Sequence, residues 1–252
     1  MAELTTTFHP TVADRATKRT KAYRVKEAWK TLQGEGFYAG RPAVFVRFVG
    51  CNMWSGYEED RERDAARTGS ACPHFCDTDF RKEGSRAYGA TDLVEAMKDI
   101  GGAIRFCVLT GGEPLLQVDA ELIRALHAEG FFVAIETNGS VSLREACWDA
   151  EGEEILAPDW IACSPKLPED RLVLEYFDEL KLVVPDYRPD AYAAFAARQR
   201  PHTVAGHVVP LRWLQPEDGP RYREAAQEAI DLALSDPTWR VSVQTHKMLG
   251  VE

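Results

Sequence analysis

"RFCVLTGGEPLLQVDAELIRALHAEGFFVAIETNGS", residues 105–140, passes from an apolar run through a helical stretch to a second apolar run. "RFCVLT" (105–110) and "FFVAIETNG" (131–139) are rich in β-branched and aromatic residues and read as buried strands, with "DAELIRALHAEG" (119–130) as the helix between them. A strand–helix–strand unit predicts a parallel pair joined by a crossover. The pattern continues outward. Upstream, "AVFVRFVG" (43–50) reads as a strand and "TDLVEAMKDI" (91–100) as a helix. Downstream, apolar runs near 160–163, 179–184, 207–211 and 241–244 predict further buried strands, with helices near 189–199 and 221–234. The expected fold class is α/β, a mainly parallel sheet that is open or curled into a barrel. Residues 1–22 are polar and aperiodic and read as a flexible arm, and 23–252 as one domain with no internal repeat.

A chain of 252 residues, 45% of them hydrophobic, can bury one sizeable core. No stretch approaches the roughly 20 consecutive apolar residues of a membrane helix, and the N-terminus lacks the apolar core of a secretion signal, so the expected compartment is the cytoplasm. A formal net charge of −10 opposes a phosphate-binding groove, which excludes nucleic acid as the expected partner. The local exception is the basic run Arg15, Lys18, Arg19, Lys21, Arg24 and Lys26, read as a solvated extension or as a guide for an anionic ligand.

In parallel α/β sheets, ligands sit at the C-terminal ends of the strands. Following the strands in order gives "GCNMW", "TGGEP", "ETNGS" and "CSPK", then "LQPEDGP" after the run at 207–211, and "QTHK" last. Small, polar and charged groups gather at one rim. Three of the six cysteines, Cys51, Cys72 and Cys76, lie in the first of these loops (51–78), in the spacing C-x20-C-x3-C. In a reducing compartment, grouped cysteines point to metal. Three thiolates hold three irons of a [4Fe-4S] cluster and leave the fourth open to a small molecule. Zinc, with His74 or water as fourth ligand, is equally open on spacing, and unligated thiols remain a third reading. Cys107, Cys147 and Cys163 are scattered through predicted elements and read as packed thiols. The charged insert "EEDRERDAAR" reads as a short helix.

With "GCNMW" after a strand, "CDTDF" closing the loop, "TGGEP" after the next strand and "TLQGEG" upstream, the chain resembles the radical S-adenosylmethionine enzymes. Within them it is similar to the 7-carboxy-7-deazaguanine synthase family of queuosine and 7-deazapurine biosynthesis, from about Lys26 to Glu252. Radical S-adenosylmethionine enzymes usually space the cysteines C-x3-C-x2-C; some synthases enlarge the first gap, and the extra residue between Cys72 and Cys76 departs from both patterns. Another enzyme of the superfamily, such as a glycyl-radical activase, and a zinc-stapled binding protein are the alternatives.

The resemblance implies an incomplete barrel that pairs as a homodimer, and an electron donor such as flavodoxin or ferredoxin. It implies a [4Fe-4S] cluster on Cys51, Cys72 and Cys76, with S-adenosylmethionine held by Gly111, Gly112, Glu113, Glu136, Asn138, Ser164, Lys166, Gln215, Pro216, Glu217 and Asp218. The substrate, 6-carboxy-5,6,7,8-tetrahydropterin, is expected against Leu32, Gln33, Gly34, Arg47, Thr110, His246 and Glu252. Arg47 is the natural partner of its carboxylate, since a guanidinium grips carboxylates bidentately. Mg2+ is expected on Thr78, with Asp77 as a second ligand. The implied reaction removes hydrogen from the pterin C6, contracts the ring, releases ammonia and regenerates the cofactor; no protein side chain is expected to react.

Overall fold

The computed structural model describes residues 21–204 and 206–251; residues 1–20, and so nearly all of the expected arm, lie outside the described residues. Nine strands form one sheet: β1 Tyr23–Leu32, β2 Pro42–Phe48, β3 Arg86–Tyr88, β4 Phe106–Gly111, β5 Phe132–Thr137, β6 Trp160–Cys163, β7 Glu179–Val184, β8 Arg212–Pro216 and β9 Trp239–Val241. Their spatial order is β9-β8-β7-β6-β5-β4-β2-β1-β3. Every pair from β9 to β2 is parallel, whereas β1 is antiparallel to β2 and β3 to β1. The end strands β9 and β3 do not pair, so the barrel is incomplete.

The helices that bear on the core and the site are α1 Arg61–Thr68, α2 Cys72–Phe75, α3 Ala90–Gly101, α4 Ala120–Ala128, α5 Tyr222–Ser235 and α6 Thr245–Leu249, with other short helices and turns between. In α3, Leu93, Val94 and Met97 form the buried stripe, and in α4 Leu122, Ile123 and Leu126 do so. This spacing lays one apolar face of each helix on the sheet's outer face. Asp119 caps α4 by accepting from Leu122 N at 3.1 Å, and also takes the Tyr23 hydroxyl at 2.7 Å, which ties β1 to the helix layer.

The opposite, concave face is narrow and aromatic at its base, where Ala43, Phe45, Phe106, Val108, Ala134, Trp160 and Leu211 cluster. The loop between β1 and β2 runs across this face instead of turning tightly. Gln33 reaches Glu136 at 3.1 Å, Phe37 stacks on Trp160 at 5.2 Å, and Tyr38 meets the same indole edge-on at 4.8 Å. Glu179 anchors the loop from β7, accepting from Phe37 N at 2.8 Å and from the indoles of Trp160 and Trp213 at 3.0 and 2.7 Å.

Three expected elements move. The run at 207–211 is not a strand of the main sheet: His207–Val209 pairs with His202–Val204 in a separate two-stranded hairpin, and Pro210, which cannot donate to a ladder, separates it from β8. Leu214, Gln215 and Pro216 therefore belong to β8 itself, and only the rest of "LQPEDGP" is loop. The last strand ends at Val241 rather than 244, and the helix expected at 189–199 is a 3-10 turn followed by the single turn Ala193–Ala196. β1 and β3 had no expected counterpart. The burial alternation of β1 is interrupted by an irregularity between Val25 and Glu27, which blurs the period-two signal.

Candidate active site

The cysteine loop follows β2, which ends at Phe48. Glu58–Asp60 and α1 form the helix expected in the insert, capped by Gly69 in the left-handed region (φ 69°). Buried Asp64 staples the insert to its root by accepting from Ser55 N at 2.8 Å. The additional residue between Cys72 and Cys76 has a simple consequence. Cys76 N donates to Cys72 O at 3.0 Å, closing one helical turn, so C-x3-C puts the two sulfurs at i and i+4 on one face. Tyr187, from beyond β7, fixes that turn: its hydroxyl accepts from Cys72 N at 3.1 Å and lies 3.1 Å from Ser70 Oγ. Tyr187 and Ser70 carried no signal in the sequence.

Cys51, Cys72 and Cys76 line one cavity at the C-terminal rim. Burial pushes the Cys51 thiol up to about 11, against backbone N–H groups of Met53 and Trp54. Cys72 donates to Cys76; this holds Cys76 down at about 6 and pushes Cys72 well above its ordinary range. Among the described residues, no three His, Cys, Asp or Glu side chains converge closely enough to hold a single metal ion. His74 turns away, its Nδ1 facing Glu62 at 3.4 Å, and is not part of the cavity wall. Three thiols lining one cavity are a donor set that fits a multi-iron cluster with one open iron.

The same cavity is lined by Gly111, Gly112, Glu136, Asn138, Ser164, Lys166, Gln215, Pro216, Glu217 and Asp218. Gly112 lies so close to the cysteine loop that a Cβ there would stand 2.3 Å from Gly50 O and 2.5 Å from Cys51 Cβ. Gly111 has φ 152° and would meet Phe48 O at 2.4 Å. Only glycine allows this approach. The Glu113 side chain is fully buried and is not among the residues of the cavity wall, which leaves its backbone as the part expected to meet the cofactor. Its carboxylate accepts from Leu115 N at 3.0 Å, Thr137 Oγ1 at 2.9 Å and Asn138 N at 2.7 Å, lashing "TGGEP" to "ETNGS". Burial pushes it up to about 7 against these donors. Lys166 Nζ donates to Ser164 Oγ at 2.6 Å, and burial pushes its ammonium down.

A second cavity, of about 560 Å3, adjoins the first and is lined by Leu32, Gln33, Gly34, Arg47, Thr110 and His246. The two share Asp77, Thr78, Thr110, Glu136, Gln244 and Lys247. Its size lies within the range of small-molecule sites. His246, at the start of α6, packs directly on Gly34, where a Cβ would come within 1.8 Å of Nδ1. Arg47 pairs with Glu27 at 2.6 Å and lies 5.1 Å over the Trp29 ring. Glu136 accepts from Gln33 and, at 3.2 Å, from Thr110. Asp77 meets Lys247 at 3.3 Å, and Lys247 also pairs with Asp218. Glu252 lies outside the described residues.

Between the cavities sits a buried ion pair absent from the sequence reading. Glu35 contacts Lys181 and accepts from Gln215 at 3.1 Å and Gln244 at 2.8 Å. Burial pushes the Glu35 carboxyl up, but the Lys181 ammonium and these donors win and hold it at about 2, and Lys181 is raised in turn. The folded pKa lies below the unfolded one, so this stabilisation is complete above about pH 4.5 and disappears as pH falls towards about 2. Lys181→Met leaves a buried, unpaired carboxylate and is expected to cost about 3–5 kcal/mol. Thermal melts of both proteins from pH 7 to pH 3 check this; an unchanged melting point at pH 7 would rule out the pair as a support.

Three thiols, a glycine cradle and polar strand ends at the rim of an incomplete parallel barrel are the kind of site that radical S-adenosylmethionine enzymes build. No family model matches the chain. A 7-carboxy-7-deazaguanine synthase of Bordetella pertussis is 44% identical over 239 residues, covering 91% of this chain and 99% of that protein. The synthase of Bradyrhizobium diazoefficiens is 45% identical over 237 residues, with the same coverage. QueE from Escherichia coli, a solved structure, superposes with a TM-score of 0.58 at 22% identity over 88% of this chain and 94% of its own, which supports the fold. The chain belongs to the 7-carboxy-7-deazaguanine synthase family.

Proposed function

We propose that this chain converts 6-carboxy-5,6,7,8-tetrahydropterin to 7-carboxy-7-deazaguanine with loss of ammonia, residues 23–252 acting as one catalytic domain. The observation that carries the reading is the shared wall: the cavity with the three thiols and the cavity with Arg47 meet along Thr78, Thr110 and Glu136. A cofactor in one is thereby placed against a substrate in the other. When bound, a [4Fe-4S] cluster with S-adenosylmethionine supplies the one-electron chemistry that removes a substrate hydrogen.

The protein's own contribution is positioning and exclusion of water. Cys51, Cys72 and Cys76 would hold the cluster, and the backbone of Gly111 and Gly112 would approach the amino acid part of the cofactor. Arg47 would exchange part of its Glu27 contact for the substrate carboxylate. Gln33, Thr110 and His246 line the walls where the edges of a flat heterocycle need donors and acceptors. Thr78 and Asp77 offer oxygen ligands for Mg2+, which is completed by water and substrate when the protein supplies few ligands. We assign the electron to a flavodoxin- or ferredoxin-type donor, the working form to a homodimer and the compartment to the cytoplasm. No described helix is long and apolar enough to cross a membrane, and the six cysteines are free.

Anaerobic incubation of reconstituted enzyme with the carboxypterin, S-adenosylmethionine and a reductant is expected to give the deazapurine and ammonia. Cofactor cleavage without a deazapurine would overturn the substrate assignment. Arg47→Ala is expected to raise KM for the carboxypterin at least tenfold, on the order of the 1.5–3 kcal/mol of a charge-assisted hydrogen bond, while leaving S-adenosylmethionine affinity unchanged. Equal loss of both affinities would place Arg47 outside the substrate site.

A further inference from the structure

The carboxylates that line the second cavity are Glu27, Glu35, Asp77, Asp79 and Glu136. Four of them are engaged by groups with no part in gripping a substrate carboxylate: Glu35 by Lys181, Asp77 by Lys247, Asp79 by Lys26 and Arg81, and Glu136 by Gln33 and Thr110. Glu27 differs. Its ion-pair partner among the described residues is Arg47, and Arg47 pairs with no other carboxylate among them. Strand geometry sets this pair. Glu27 and Arg47 stand directly opposite each other in the antiparallel β1–β2 ladder, and the period of two carries Glu27, Trp29, Thr31 and Gln33 of the β1 segment to the cavity wall. Glu27 takes the Nε edge of the guanidinium at 2.6 Å, the guanidinium carbon lies 5.1 Å from the centre of the Trp29 ring, and Phe45 backs that ring at 5.3 Å. Among the described residues, Arg47 Nη1 and Nη2 donate to no protein group. The two side chains are 21% and 44% exposed, so water reaches the pair and keeps it weak enough to exchange.

The substrate and the product assigned above both carry a carboxylate, so a guanidinium that secures the first also retains the second. We infer that Glu27 is the internal counter-ion that competes with both for Arg47 and, by closing on the guanidinium, releases the product. A ligand carboxylate on Arg47 must displace the Glu27 oxygen or share the cation with it, and the two like charges repel at that range. A ligand without a carboxylate leaves the pair intact and meets no such competition. Glu27 thereby sets how tightly the cavity holds an anion, while the cavity walls recognise the heterocycle. The inference rests on the substrate assignment above and adds to it the residue that governs release.

Glu27→Gln keeps an acceptor for Arg47 Nε and removes the charge, whereas Glu27→Ala removes both. In calorimetric titrations of reconstituted enzyme holding S-adenosylmethionine, 7-carboxy-7-deazaguanine is expected to bind both variants about fivefold more tightly than wild type, the scale of a partly exposed ion pair. The gain is expected in slower dissociation. 7-Deazaguanine, which lacks the carboxylate, is expected to bind all three proteins alike. Glu27 is exposed enough that neither change opens the core, and matching thermal melts check that the variants fold. Unchanged product affinity in both variants overturns the inference. Weaker product binding in both also overturns it, since Glu27 would then hold Arg47 in place for the ligand rather than compete with it. An equal gain for 7-deazaguanine overturns it as well, because the competition would not be for the carboxylate. Wild-type enzyme that binds neither the carboxypterin nor the carboxylated deazapurine overturns the functional reading itself, and this inference with it.

Discussion

Cys76→Ala abolishes cluster assembly: iron and sulfide per chain, the reduced-cluster signal and product formation are all expected to fall to background after anaerobic reconstitution. Cys72 and Cys76 share one face of a single helical turn held by Tyr187 and Arg61, so no other thiol can swing in to replace the lost ligand. Cys107→Ala is the control and leaves all three readouts near wild type. Cys107 is fully buried in β4, paired with Val44 on one side and Val133 on the other, and burial keeps its thiol protonated. Its expected penalty is in stability alone. Equal loss of iron from both variants would falsify the ligand set.

The second large effect belongs to Gly112→Ala. The added methyl would stand 2.3 Å from Gly50 O and 2.5 Å from Cys51 Cβ, both on the loop that carries the first thiol. Neither neighbour is the far end of a flexible side chain. The strain must be relieved by moving "TGGEP" away from the cysteine loop, while the Glu113 hydrogen bonds to Thr137 and Asn138 resist the movement. A displacement on the scale of 1 Å costs on the order of a hundredfold in rate. We expect kcat/KM to fall by at least that factor and S-adenosylmethionine affinity to weaken, with iron content largely kept. Calorimetric titration of the cofactor into reconstituted protein checks the point. Near-wild-type affinity would show that the cofactor does not lie against Gly112.

Much of the site was legible because its residues follow strands. "GCNMW", "TGGEP", "ETNGS" and "CSPK" each end an apolar run, and a parallel sheet delivers all such ends to one rim. Gly111, Gly112, Asn138 and Ser164 accordingly share a cavity with the three thiols. Glu113 shows what a motif leaves open: it specifies the turn, but only the neighbouring loop shows that its carboxylate turns inward to Thr137 and Asn138. The displaced strand at 207–211 has a similar origin, since an apolar run does not reveal that Pro210 ends it before the sheet begins.

Sequence alone determined the α/β class, the parallel core, the rim on which chemistry gathers and the three thiols, because strand and helix periods and motif positions are properties of neighbouring residues. It left open the place of His74 and the meaning of C-x3-C. Tertiary structure decided these by turning His74 outward and closing one helical turn between Cys72 and Cys76. It also supplied Tyr187 beside Cys72 and Lys181 beside Glu35, partners 115 and 146 residues apart in the chain. Such pairings exist only once burial has brought distant strands together, and no local pattern of residues encodes them.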